Sequence, residues 1–201
     1  MQSRPQSLPV MSRISRCAVL LVLGLSVSAC GAGPVETFDL SALEVAKSQR
    51  VTRGQLLIAE PVASAPLDGD RVVVRPSPEQ VATLKGAQWR ERLPRLVQTR
   101  LVQSFENTGA LKAVGRSDSR LASDWSLATE LRRFEVDVMS GEAVVEVAAK
   151  LVHEGSGRVR STQVFEARMP AQAGVESAVP ALDRALGEVM GQLVPWVLRE
   201  M

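Results

Sequence analysis

Groups able to do chemistry are sparse in this sequence of 201 residues. Its single histidine, His153, stands just before Glu154-Gly155-Ser156-Gly157, with no second histidine to complete a zinc site. That position predicts a solvated turn residue. Serines are plentiful, but none lies in Gly-x-Ser-x-Gly, so a serine hydrolase would depend on one turn histidine as its base. Gly155-Ser156-Gly157 has the small residues of a phosphate loop. Such a loop must open a helix, whereas strand-like segments flank this one, so a hairpin turn is expected. Glu130, Glu135, Asp137, Glu142 and Glu146 lie on adjacent strand-like segments, where converging carboxylates could serve an envelope hydrolase. A charged outer sheet face explains them more simply. Arg132-Arg133, with Arg116, Arg120, Arg158 and Arg160, could form a patch for anionic lipid or a partner, or could be solvated singly among nearby acids. Trp89 and Trp196 each have apolar neighbours at helical spacing, which predicts packing, and the lack of tyrosine leaves little material for stacking on bases or sugars. No residue is nominated as catalytic, as a metal ligand or as a cofactor contact, and ligand-binding residues stay undefined.

The remaining reactive group is a thiol. Cys17 and Cys30 are the only cysteines. Ahead of Cys30 runs an acid-free segment with Arg4, Arg13 and Arg16, then the apolar stretch from Ala18 to Val27, too short to span a bilayer as a permanent helix. Val27-Ser28-Ala29-Cys30 resembles the lipobox of bacterial lipoproteins, a branched apolar residue and two small residues before the cysteine that is acylated and exposed by cleavage. The expectation is that residues 1–29 are a lipoprotein signal peptide and that Cys30 carries the lipid, in acyl chains of the palmitate kind. Cys17 would leave with the signal. Two or three acyl chains, at about 0.8 kcal/mol per buried CH2, suffice for stable anchoring without a transmembrane helix. Gly31 in place of an aspartate favours, by resemblance to enterobacterial sorting rules, the periplasmic face of the outer membrane over the inner.

Charge narrows the partners. The whole chain carries 24 basic and 22 acidic residues; three of the basic and none of the acidic lie in residues 1–29, leaving 21 against 22. The near-neutral remainder counts against binding nucleic acid. It is long enough for one domain of roughly 150 residues with a real core.

Local patterns supply the elements. Residues 30–53, opening Cys-Gly-Ala-Gly-Pro, read as the lipidated N-terminus and a tether, with Phe38 and Leu40 placed to touch the domain; residues 54–201 read as one domain. Gln55 to Glu60, ended by Pro61, and Arg71 to Arg75 are strand candidates. From Gln88 to Asn107, Trp89, Leu93, Leu96, Val97, Leu101 and Phe105 recur at helical spacing, with a start or kink expected at Pro94. Leu111 to Val114 is a short strand candidate. Three longer strands follow, Trp125 to Val138, Glu142 to His153 and Arg158 to Met169, joined by turns at Ser140-Gly141 and Glu154 to Gly157. The apolar parity of the first changes near Arg132-Arg133, which predicts a bulge. Ser177 to Arg199 forms a second amphipathic helix, with Ser177 suited to cap it and Pro180 to its first turn. The order describes an α+β domain: a mainly antiparallel twisted sheet with two amphipathic helices packed on one face. Whether the early strands add in parallel is open.

These residues together resemble the ABC-type transport auxiliary lipoproteins, a family that includes the lipoprotein of the paraquat-inducible intermembrane transport system. The resemblance spans nearly the whole segment after Cys30. It rests on the lipobox; on Phe38-x-Leu40, where the family usually has Tyr-x-Leu; on Leu56-Leu57-Ile58 with Pro61; and on Leu67-Asp68 and Arg71 to Arg75. It continues through Trp89, Leu93-Pro94 and Leu101 to Leu131-x-x-Phe134, Ala149-x-Leu151, Phe165, Ala185 and Trp196. The resemblance implies a non-enzymatic accessory of an Mce-type transporter that moves lipids or other hydrophobic molecules between the two membranes. Its implied partners are an Mce-domain protein and, through it, an ABC permease and ATPase, with rings of identical subunits seen in some members. The alternative is a lipoprotein that binds a lipid or small molecule alone, which requires an apolar cavity between sheet and helices.

Overall fold

The computed structural model describes residues 34–44, 54–119 and 122–201. The expected signal peptide over residues 1–29, the expected lipidation residue Cys30 and Arg120 lie outside the described residues. The chain divides into two compact units, Met1–Pro34 and Val35–Met201, and the second holds every element named below.

In chain order these are β1 (Glu36–Phe38), β2 (Gln55–Ile58), β3 (Val62–Ala63), β4 (Arg71–Ser77), β5 (Gln80–Trp89), α1 (Leu93–Thr108), β6 (Ala113–Arg116), β7 (Trp125–Asp137), β8 (Glu142–His153), β9 (Arg158–Pro170) and α2 (Val175–Glu200). The class is α+β, as expected. The nine strands of the described residues, however, form a sheet that is mixed rather than mainly antiparallel.

The correction has a local cause. Strand β7 is 13 residues long, and three short strands fill one of its edges in succession. β2 lies beside Trp125 to Leu127, β3 beside Glu130 and Leu131, and β4 beside Glu135 to Asp137, all parallel to β7. Pro61, which has no N–H to donate, separates β2 from β3, and a loop over residues 64–70 separates β3 from β4. β1 on β5 and β6 on β2 are also parallel. Antiparallel pairing is confined to segments joined by tight turns, β4–β5, β7–β8 and β8–β9. The expected bulge is present, as a register shift between Leu131 and Arg133.

Trp89 does not open a helix. It ends β5, a strand that helical spacing from Trp89 to Leu93 concealed, and α1 begins at Leu93 with Pro94 in its first turn, where a missing N–H costs nothing. Leu93, Leu96, Val97, Leu101 and Phe105 form its buried face. Gly109 ends it with φ +60°, a left-handed conformation that a side chain resists. Helix α2 starts earlier than expected, at Val175 after Gly174, so Ser177 does not cap it; its Oγ accepts instead from the Gln172 N–H at 2.9 Å. Pro180 therefore falls beyond the first turn, and with Pro195 it lies inside the helix.

Both helices bury side chains in one cluster, α1 over β2 and β6, α2 over β8 and β9. Along β8, Ala143, Val145, Val147, Ala149 and Leu151 supply that cluster. Glu146 and Lys150 occupy the opposite face, which neither α1 nor α2 covers. Trp89 meets Phe134 edge to face at 5.8 Å, and Phe165 meets Trp196 at 5.6 Å. Trp89, Phe105, Phe134 and Phe165 are each under 2% exposed, so aromatic rings fill the space between sheet and helices.

Candidate functional site

The uncovered sheet face carries a lattice of ion pairs built by strand alternation. In β7, the bulge at Leu131/Arg133 keeps Leu127, Leu131, Phe134 and Val136 on the helix side while Glu130, Arg133, Glu135 and Asp137 stand on the other. Arg75, from the end of β4, donates its Nε to Glu135 Oε1 at 2.7 Å and its Nη2 to Oε2 at 3.0 Å. Arg133 Nε donates to the same Oε1 at 2.8 Å, and its Nη2 reaches Asp137 Oδ2 at 3.3 Å. The Glu135 side chain is only 3% exposed although it faces away from the helices, because the two arginine stems lie over it.

Further along, Arg132 bridges Glu130 at 3.3 Å and Glu146 at 3.5 Å, and Arg168 bridges Glu166 at 2.6 Å and Glu142 at 3.3 Å. Each of the five acids that the sequence placed on adjacent strands thus engages an arginine, and they form paired rungs rather than a convergent carboxyl pair. The Ser140 backbone N–H, with help from Arg133 and the Met139 N–H, holds the Asp137 carboxyl below its ordinary value against the opposing effect of burial. Glu135, gripping Arg75, holds that guanidinium above its ordinary value. Among the described residues no group of three His, Cys, Asp or Glu side chains is close enough to hold a metal ion.

The arginines grouped from sequence are dispersed. Arg132 and Arg133 belong to the lattice, and Arg116 donates to Thr99 Oγ1 at 2.7 Å beside α1. Arg158 and Arg160 sit elsewhere, at the β8–β9 turn, in a cleft that also contains Arg199 from the last turn of α2. His153 lies there too, exposed, with Nδ1 3.2 Å from Ser156 Oγ and its ring edge to face with Trp125 at 4.9 Å. Gly155-Ser156-Gly157 is a hairpin turn with Gly157 at φ +64°. Arg75 and Arg199 were not singled out from sequence, since their neighbours Glu135 and Arg158 are remote along the chain.

A third feature is a strap made by the residues after β1. Phe38 pairs with Trp89, and its carbonyl accepts from the Arg90 N–H at 2.8 Å. Asp39 binds Arg90 at 2.9 Å and also Arg100 on α1. The Ser41 N–H donates to Asp183 on α2 at 2.6 Å, and the Leu43 N–H to Ser104 on α1 at 2.9 Å. Part of the stretch read as tether is therefore built into the fold, with Leu40 3% exposed.

Residues 38–194, nearly the whole of this architecture, match the model of the ABC-type transport auxiliary lipoprotein component family. The chain belongs to that family. A relative from Bradyrhizobium diazoefficiens, an uncharacterized protein, is 27% identical over 183 residues, covering 89% of this chain and 49% of the relative. The chain thus spans about half the length of that curated relative. The crystal structure of protein XCC0632 from Xanthomonas campestris, of the DUF330 family, is similar with a TM-score of 0.73 at 28% identity, covering 83% of this chain and 95% of that one. A second crystal structure, of an uncharacterized protein, has a TM-score of 0.61 at 18% identity, covering 83% and 98%, and shares the fold. In this auxiliary lipoprotein the family region opens at Phe38, the last residue of β1, so the strap lies at its very start.

Proposed function

We propose that this auxiliary lipoprotein is a non-catalytic, envelope-anchored accessory of an Mce-type ABC transport system that moves lipids or other hydrophobic molecules between inner and outer membranes. Residues 1–29 direct export, and acyl chains on Cys30 hold the domain at the periplasmic face of the outer membrane. The folded domain docks the Mce-domain protein, through which it meets the permease and ATPase, and identical copies associate with one another.

The observation that carries this reading is the position of Cys30, with its lipobox, just ahead of a family region that opens at Phe38. Family membership supports association with a transporter. No helix among the described residues is long and apolar enough to cross a membrane, which suits attachment through lipid. The stand-alone binding alternative has less support, because aromatic and aliphatic side chains occupy the space where its ligand would sit.

Affinity purification of the tagged lipoprotein from solubilised envelopes is expected to retain an Mce-domain protein. Cys30→Ala should leave unprocessed precursor, remove the protein from the outer-membrane fraction and abolish transport. An intact Mce complex that contains no trace of this lipoprotein, or full transport with the Cys30→Ala variant, would contradict the assignment.

A further inference from the structure

The β8–β9 turn builds a cleft that neither the ion-pair lattice nor the strap uses. Trp125, His153 and Arg158 stand side by side on three neighbouring strands, paired in register. They share the helix-side face of the sheet with Leu127 and Leu151, but lie beyond the end of the core. The last turn of α2 hangs over this row. A register shift in the β8–β9 pairing, between Leu151 and Val152, leaves Arg160 as the extra residue. Its Nε donates to the Glu200 carbonyl at 3.2 Å and lies 3.9 Å from that residue's carboxylate. Arg160 thereby covers the negative end of the α2 dipole, which would otherwise repel an anion.

Two guanidiniums remain. Arg158 and Arg199 line the same cleft, of about 520 Å³, and their side chains have no hydrogen-bond or ion-pair partner among the described residues. Glu200, held by Arg160, is the acidic side chain in the lining, so the two free guanidiniums contrast with the uncovered sheet face, where Arg75, Arg132, Arg133 and Arg168 are all engaged by acids. Guanidinium forks match the spacing of phosphate oxygens, and Ser156 offers a hydroxyl donor beside them. Trp125 supplies a flat apolar wall, and the volume lies in the range of small-ligand sites.

We propose that this cleft binds a phosphate-type anion between Arg158 and Arg199, with Trp125 as its wall. The anion is either free or the headgroup of an anionic phospholipid. The site stands on its own geometry and does not depend on the transport assignment.

The three tryptophans make the test direct, because Trp89 and Trp196 are buried in the core and only Trp125 borders the cleft. The full processed protein, held in uncharged detergent and labelled with 15N, is titrated with inorganic phosphate against sodium chloride of equal ionic strength. A parallel titration uses short-chain phosphatidylglycerol. The expected result is a saturable movement of the Trp125 indole resonance, identified with Trp125→Phe, while the Trp89 and Trp196 resonances stay still. Arg158→Gln with Arg199→Gln should weaken binding by about tenfold or more, as loss of charge-assisted hydrogen bonds requires. Unmoved Trp89 and Trp196 resonances certify that the double variant is folded; if they move, the two single variants carry the comparison. A response to both titrants means that the free anion suffices, and a response to phosphatidylglycerol alone assigns the headgroup. The proposal is overturned if Trp125 responds to neither, responds equally to chloride, or binds as tightly after the arginines are replaced.

Discussion

Arg75 holds Glu135 by both carboxylate oxygens, at 2.7 and 3.0 Å, across the parallel β4–β7 seam and on the side of the sheet away from the helices. A two-point grip of this kind fixes register as well as charge, since a slip of one residue would turn Glu135 into the core.

Removing the acid should be costly. Glu135→Ala would leave Arg75 without its carboxylate and Arg133 with Asp137 alone; both guanidiniums are partly exposed and can be hydrated, so a loss of about 2 kcal/mol is expected from the broken charge-assisted hydrogen bonds. Replacing Glu135, Arg75 and Arg133 together with apolar residues of similar size should recover most of it. Denaturant midpoints measure both, and a Glu135→Ala variant within about 0.5 kcal/mol of the parent would show that the grip is ornamental.

Acid should weaken the same region through Asp137. Its carboxyl is held low chiefly by the Ser140 N–H, so its folded value lies below its unfolded one. Such a group contributes stability above the unfolded value, about 3.9 for aspartate, and loses it as pH falls through the folded value. Asp137→Asn is therefore expected to lower the melting temperature at pH 7, with the deficit shrinking below about pH 4. Paired melting curves across that window test this, and a deficit constant with pH would exclude it.

Gly109 is one of four glycines with positive φ among the described residues, and it separates conformation from packing. Its φ of +60° ends α1, and a Cβ there would meet nothing within 4 Å. Gly109→Ala should thus cost about 1 kcal/mol from conformation alone, with no repacking of the core visible in spectra. Gly69 also has open space around it but no positive φ, and Gly69→Ala, the matched control, should change stability far less.

The strap should open independently of the sheet. Asp39→Ala removes the exposed pair with Arg90 and also the carboxylate partner of the largely buried Arg100, so a loss of about 1–2 kcal/mol of global stability is expected. Local opening is more sensitive. Hydrogen exchange at the Arg90 amide, which donates to Phe38, is expected to quicken several-fold while β8 amides keep their rates. Equal acceleration in β8 would mean that the strap and the sheet unfold as one unit.

Sequence reading succeeded where structure is local. The bounds of β8 were read to the residue, its neighbours to within one, and the β7 bulge from a change of apolar parity alone. It failed where pairing is remote. Nothing near Leu56 or Val73 announces that both lie against β7, because parallel partners share no turn. Strand β5 is hard to see because Gln80 to Lys85 carries no sustained apolar alternation, and its last residue, Trp89, stands at helical distance from Leu93, so the edge of one element looks like the start of the next. The five carboxylates were seen together, but the arginines that neutralise them come from β4 and β9 as well as β7, and Arg158 and Arg199 meet only once α2 has folded back over the β8–β9 turn.

The strap also sets a distance. Had the chain been free from Cys30 to Gly54, an acyl anchor on Cys30 would have given the domain a leash of up to about 80 Å, at the extended limit of 3.3–3.6 Å per residue. Because β1 is already paired at Glu36, the leash can be no longer than about 20 Å whatever path those few residues take. If Cys30 carries the lipid as proposed, the domain would be kept within about that distance of the bilayer surface, held near one height instead of ranging away from it.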